Sequence, residues 1–208
     1  GWFFFTCYNS EQANTLLEVN ASQNDKDFIM AVNWKKAEEY IKAGKGKIEK
    51  TKYAHNTWND ETHTGTSVIK DEVLVLDAMA MKDICYLMPC PKSPHGCDVD
   101  PTGEYIVGSG KLAALIPVFS FDKMVKAIGK KDYEGDYEGI PVLKYNSVLH
   151  GEVQKPGLGP LHTEFDGKGN AYTTFFVSSE VVKWDIKTLK VLDRVPTYYS
   201  VGHLMIPG

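Results

Sequence analysis

Residues 157–174 read GLGPLHTEFDGKGNAYTT, and this stretch decides the fold. It starts with a turn rich in Gly and Pro, reaches His162 through a short apolar segment, turns again at Asp166–Gly169 and enters an aromatic run at Tyr172. Gly and Pro fix or free the backbone at such turns, and an Asp–Gly turn commonly joins two strands. The stretch therefore predicts a β-hairpin with His162 near the start of its first strand.

The same pattern occurs twice along the chain, in residues 95–122 and 162–185. Each copy reads His, Asp, a turn with Gly, then Tyr, then a strand-like run that ends in Asp. A unit of this kind, recurring every several tens of residues, is typical of propeller blades. We predict an all-β chain, a partial β-propeller of about three to four blades with short helical excursions; a β-sandwich with similar hairpins stays open on the pattern alone.

Local patterns predict individual elements. Short apolar, β-branched or aromatic runs predict strands over Val73–Asp77, Leu115–Asp122 and Val181–Asp185. A segment rich in Ala, Lys and Glu that closes before a glycine predicts a helix over Trp34–Ala43, and a shorter helix is predicted over Lys123–Ile128.

Composition excludes several classes of function. The chain has 208 residues, 43% of them hydrophobic, and a net charge of −4. This mildly acidic balance gives no electrostatic case for binding nucleic acid or an anionic membrane surface. No run approaches the ~20 apolar residues of a membrane-spanning helix. Because the chain starts with the apolar run Trp2–Phe5 and lacks a signal-peptide pattern, we expect an internal fragment of a larger protein.

Three of the six histidines share a setting. His95, His162 and His203 each lie beside Gly or Pro at the start of a strand-like unit. Equivalent positions on successive blades converge on the axis of a propeller, so the three imidazoles would meet there. A site rich in imidazole nitrogen suits copper or zinc.

The cysteines leave several interpretations open. Cys85, Cys90 and Cys97 fall within thirteen positions together with His95, whereas Cys7 lies apart. The spacing C-x4-C-x4-H-x-C matches none of the common zinc ligand spacings. Structural zinc, a disulfide and buried free thiols are all compatible with it.

Four blocks carry a resemblance to a known family. CYNSE at residues 7–11, SPHGCD at 93–98, the stretch 157–174 and VVKW at 181–184 resemble nitrous oxide reductase, in family order and across essentially the whole chain. The resemblance implies part of a seven-bladed propeller that holds a tetranuclear copper–sulfide cluster through seven histidines. The reaction it implies is the reduction of nitrous oxide to dinitrogen and water, with two electrons and two protons, in denitrification.

The resemblance also implies roles for particular residues. It makes His95, His162 and His203 three of the seven cluster ligands and places Lys183 near the cluster without binding copper. Neutral imidazoles and sulfide suit copper, and the surrounding polar groups orient such ligands.

A calcium site is the second implied feature, with Tyr8, Glu11 and Asp27 as ligands. Oxygen donors of this type suit a hard cation. One departure affects this region: the position two residues before His95 is often Asn in the family and is Ser93 here.

The resemblance further sets expectations for the whole enzyme. Residues 1–208 would form part of one propeller domain, without the family's N-terminal blades and without its C-terminal cupredoxin domain, which carries a dinuclear copper site. The resemblance implies a periplasmic homodimer that receives electrons from a c-type cytochrome or a cupredoxin. The alternative is a non-catalytic propeller that serves as a binding or scaffold module; such a protein would be expected to lose histidines at the axis.

Overall fold

The computed structural model describes residues 1–7, 27–59, 62 and 64–207. Within these ranges the chain forms fifteen strands in four sheets, with three helices between them. The prediction of an all-β, partial propeller is confirmed, since three of the sheets stand side by side as blades.

The first sheet contains five strands in the order β1-β2-β5-β10-β9. Every neighbouring pair is antiparallel except β10 and β5, which run parallel. Its strands are β1 (Trp2–Cys7), β2 (Phe28–Asn33), β5 (Cys85–Pro89), β9 (Tyr133–Tyr137) and β10 (Ile140–Leu143).

The second and third sheets are four-stranded and antiparallel. The second contains β6 (Pro94–Val99), β7 (Tyr105–Gly110), β8 (Leu115–Ser120) and β11 (Leu149–Gln154). The third contains β12 (Pro160–Phe165), β13 (Asn170–Phe175), β14 (Glu180–Asp185) and β15 (Val191–Pro196). Strands β1, β6 and β12 lie next to one another and form the inner edge of the three blades.

Two excursions interrupt the blades. Helix α1 (Trp34–Lys42) and the hairpin of β3 (Lys47–Asn59) and β4 (Thr64–Val75) lie between β2 and β5 in the chain. The second excursion separates β8 from β11 and contains helix α2 (Phe121–Lys130), β9, β10 and helix α3 (Tyr145–Val148). It takes the chain out of the second blade to add two strands to the first.

The structure shifts some predicted boundaries. The strand predicted over Leu115–Asp122 ends at Ser120, because the Ser120 side chain accepts a hydrogen bond from the Lys123 amide at 3.1 Å and starts α2 at Phe121. The strand predicted over Val73–Asp77 is the end of a longer one, which stops at Val75. Helix α1 and strand β14 lie where they were predicted.

Apolar side chains fill the space between neighbouring blades. Ile29 and Met88 of the first blade meet Phe119 of the second and Met124 of α2. Between the second and third blades the fully buried residues include Val118, Ile116, Phe175, Val182 and Trp184. Each such side chain contributes about 1.5–3 kcal/mol by leaving water. Among the described residues, none of the helices combines the length and apolar character needed to cross a membrane.

Candidate metal centre at the inner edge of the blades

His95 and His162 both lie where the pairing of an inner strand is interrupted. The register of β6 against β7 shifts between Pro94 and Gly96, and that of β12 against β13 shifts between Pro160 and Thr163. Extra residues of this kind form β-bulges, which turn a side chain away from its regular direction and occur often beside functional sites. The bulges set the directions of the two imidazoles on the inner edge.

The three predicted histidines come together in space. The ring centroids of His95 and His162 are 5.2 Å apart, with the planes close to perpendicular at 76°. His162 and His203 are stacked, with centroids 4.3 Å apart and planes 22° apart. His203 follows the third blade, in a segment outside the described strands and helices. Residues up to 108 positions apart thus form one imidazole cluster.

Burial and a neighbouring imidazole both act on His162. Its side chain is 24% exposed. Burial, together with the nearby His203, lowers the pKa of His162 below the ordinary value of 6.5. The ring is therefore neutral at pH 7, the form in which imidazole binds a metal ion.

Asp98 links the second blade to the third beside this cluster. One carboxylate oxygen accepts a hydrogen bond from the Thr163 amide at 2.7 Å, and the other lies 3.8 Å from Nδ1 of His162. Burial raises the pKa of Asp98 to about 6, although the Thr163 amide opposes this shift. Sequence reasoning did not select Asp98; its position three residues after His95 is the signal that could have found it.

Two adjacent buried threonines of β13, Thr173 and Thr174, use their hydroxyl groups on different partners. The hydroxyls of Thr163 and Thr173 are 2.7 Å apart, and the Trp184 indole donates to the Thr173 hydroxyl at 2.9 Å. On the same strand, the Thr174 hydroxyl accepts from the His162 amide at 3.3 Å and donates to the Gly202 carbonyl. The Thr173 hydroxyl is therefore satisfied inside the third blade, whereas the Thr174 hydroxyl contacts the backbone of the two segments that carry His162 and His203.

The cluster does not have the geometry of a site for one ion. Among the described residues, no group of three His, Cys, Asp or Glu side chains is arranged to hold a single metal ion. The ring planes explain this, because an imidazole binds a metal in its own plane. The stacked rings of His162 and His203 lie in nearly parallel planes and cannot both direct a nitrogen at one point between them.

The predicted calcium ligands are only partly within the described structure. Tyr8 and Glu11 lie outside the described residues. Asp27 is buried; one of its carboxylate oxygens accepts from the Ser93 amide at 2.7 Å, and its carbonyl accepts from the Cys90 amide at 3.0 Å. A cavity of about 380 Å³ adjoins it and is also lined by Glu152. The structure thus places Asp27 directly against the segment that leads to His95.

Lys183 lies on β14, two strands outward from β12. Its Nζ atom is over the ring of Tyr172, 5.5 Å from the centroid. Tyr172 in turn donates its hydroxyl to Asp166 at 3.3 Å. The ammonium group of Lys183 thus lies against an aromatic face of the third blade.

The cysteines behave as buried thiols. All four are free thiols, with no disulfide among them in this structure. Burial raises the pKa of each thiol, most strongly for Cys90 and Cys97. Among the described residues, no group of three His, Cys, Asp or Glu side chains could hold one metal ion, so the zinc interpretation gains no support.

Comparison with known proteins identifies relatives. The chain is 32% identical over 211 residues to the nitrous-oxide reductase of Stutzerimonas stutzeri and 34% identical over 208 residues to that of Pseudomonas fluorescens. These alignments cover 96% and 95% of this chain, and 28% of each relative. The nitrous-oxide reductase of Ralstonia nicotianae is 37% identical over 125 residues, which is 55% of this chain and 18% of that protein. No protein-family model matches the chain.

Solved structures overlap more loosely. Two structures of AztD from Citrobacter koseri, one of them the apo form, align with a TM-score of 0.40. Their sequence identities are 11% and 9%, over 62% and 86% of this chain and 30% and 49% of theirs. The fold is assigned from the blades themselves.

The blades and the histidines beside them define this chain as a partial β-propeller with an imidazole cluster at the inner edge of its blades. Over nearly its whole length the chain is a homologue of the nitrous-oxide reductases. It spans 28% of the length of these two curated relatives.

Proposed function

We propose that this chain supplies part of the histidine ligand set of a copper–sulfide cluster, in an enzyme that reduces nitrous oxide to dinitrogen and water during denitrification. The observation that carries the proposal is the meeting of His95, His162 and His203 at the inner edge of the blades. The homology to nitrous-oxide reductases supports the same assignment.

The arrangement of the rings favours a cluster over a single ion. Stacked imidazoles with nearly parallel planes can bind two separate ions that lie side by side. The ring of His95 is turned by 76° from that of His162 and reaches the same region from another direction. Neutral imidazoles are good ligands for copper.

The chain's own residues have a positioning task. When bound, the cluster would supply the reduced copper ions that activate the inert substrate and deliver two electrons. The two bulges hold His95 and His162 in place before any metal binds, and Asp98 ties their strands together. Such preorganisation lowers the cost of assembling the site.

Two further residues belong to the proposal. Asp27 would bind calcium together with Tyr8 and Glu11, and so order the segment before His95. Lys183 would act on the reaction as a cation outside the set of copper ligands. By analogy with the family, we also expect a periplasmic homodimer, a second dinuclear copper site in a cupredoxin domain, and a c-type cytochrome or cupredoxin as the electron donor.

The test replaces each of the three histidines by alanine in the full-length protein. Removal of a ligand opens a coordination position, so copper content and nitrous oxide reduction should both collapse in each variant. His150→Ala is the matched control. His150 lies on β11, the outermost strand of the second blade. Its ring packs against Tyr105 and is 3.1 Å from the Lys187 carbonyl oxygen. Because it lies away from the histidine cluster, its loss should leave the copper content unchanged. Normal copper content in all three variants would refute the proposal and favour a non-catalytic scaffold.

A further inference from the structure

The hydroxyl group of Thr174 joins the two segments that carry the stacked histidines. It accepts a hydrogen bond from the backbone amide of His162 and donates one to the backbone carbonyl of Gly202, the residue before His203. Thr174 is fully buried on β13. The hydroxyl group is therefore shielded from water, and its removal would leave two partly buried backbone groups without this partner.

The two histidine segments differ in how firmly the fold holds them. His162 belongs to β12, which pairs with β13 along most of its length. Residues 201–207 are outside every described strand and helix, and the His203 side chain is exposed. A bond from a rigid strand to the residue before His203 therefore has a large influence on where that imidazole lies.

We propose that Thr174 is a positioning residue that sets the placement of His203 relative to His162. The hydroxyl has one proton to donate and lone pairs to accept with, and it uses both functions on the two histidine segments. The inference rests on the proposed function only in taking the two histidines as copper ligands; the positioning itself can be tested in the metal-free protein.

Three single substitutions on β13 distinguish the positioning role of Thr174 from a general loss of stability. Thr174→Val keeps the shape of the side chain and removes the hydroxyl, whereas Thr174→Ser keeps the hydroxyl. Thr173→Val is the matched control, because Thr173 is equally buried on the same strand but uses its hydroxyl on Thr163 and Trp184.

The experiment compares these variants in the full-length protein by two measurements. The first is the distance between the His162 and His203 ring centroids in crystal structures of the metal-free proteins, with 4.3 Å as the native arrangement. The second is copper affinity. Thr174→Val should separate the rings and weaken copper binding by about 10- to 100-fold, the usual cost of losing an orienting partner. Thr174→Ser and Thr173→Val should retain the stacked rings and copper affinity.

The positioning role of Thr174 and the proposed function are contradicted by different results. Stacked rings and native copper affinity in Thr174→Val would overturn the positioning role, as would an equal loss in Thr173→Val. If Thr174→Val does not fold, the ring separation and the copper affinity are measured in Thr174→Ala, and the same results confirm or overturn the positioning role. Should the alanine variants of His95, His162 and His203 all keep their full copper content, the proposed function fails, while the ring separation in the metal-free Thr174 variants still decides the role of Thr174.

Discussion

Gly96 on β6 lies directly against the carbonyl oxygen of Leu161 on β12. A Cβ atom at position 96 would be 1.8 Å from that oxygen, far inside the closest approach that real Cβ atoms show. Because Gly96 follows His95 and Leu161 precedes His162, this contact fixes how closely the two histidine strands approach. Gly96→Ala should push the strands apart and reduce the copper content of the full-length protein, as measured by metal analysis.

Gly129→Ala provides the control for this substitution. Gly129 lies in α2, and nothing is within 4 Å of the position that its Cβ would take. Alanine is a better helix former, so this variant should gain about 0.5–1 kcal/mol of stability and keep its copper. Native copper content in Gly96→Ala would show that the two strands can separate without disturbing the histidines.

The sequence predicted the blades and the histidine cluster for one physical reason. A hairpin with an Asp-initiated turn imposes the same path wherever it recurs, so the histidines that start each unit come to equivalent places. The structure shows the same turn chemistry at Asp100 and Asp166, which accept hydrogen bonds from backbone amides two to five residues later. Turn chemistry of this kind depends on a few neighbouring residues and can therefore be predicted from a single sequence.

Other features depend on contacts that local patterns do not encode. The bulges at His95 and His162 arise from register against the next strand, and no residue type marks them. Strand β10 pairs with β5, more than fifty residues earlier, and this crossover was not predicted. The hairpin of β3 and β4 was recognised only at its end, where Val73–Val75 are apolar. Asp98 and Thr174 gain their importance only from tertiary partners.

Asp27 gives a direct test of the calcium proposal. Asp27→Ala in the full-length protein should lower calcium content and weaken resistance to chelators, because it removes a carboxylate donor for a hard cation. Asp122→Asn, which removes an exposed carboxylate from α2, should change neither. Calcium content would be measured by atomic absorption after dialysis, and an unchanged value in Asp27→Ala would remove this residue from the ligand set.

Lys183 is tested by the rate of reaction. Lys183→Ala should leave copper content near normal and slow nitrous oxide reduction about tenfold, which corresponds to ~1.4 kcal/mol of transition-state stabilisation. Lys190→Ala, an exposed lysine of the same blade, is the control and should leave the rate unchanged. If both variants turn over at the native rate, the contact of Lys183 with the Tyr172 ring is a structural one.

Asp166, in the turn between β12 and β13 of the third blade, should make the stability of the protein depend on pH. Burial disfavours its ionised form, but hydrogen bonds from the Asn170 side chain and from the amides of Lys168 and Asn170 outweigh that effect and lower the pKa of Asp166 from 3.8 to about 2. A pKa that is lower in the folded state means that the unfolded chain binds the proton more tightly. The stabilisation is therefore complete above pH ~4 and is lost as the pH falls towards 2.

Asp166→Asn should be less stable than the native protein at pH 5, with the difference shrinking between pH 4 and pH 2, in thermal unfolding of the full-length protein. Glu134→Gln, which removes an exposed carboxylate from β9, is the control and should be as stable as the native protein at pH 5. A difference between Asp166→Asn and the native protein that stays constant across this pH range would mean that the turn is held by its shape and not by the charge of Asp166.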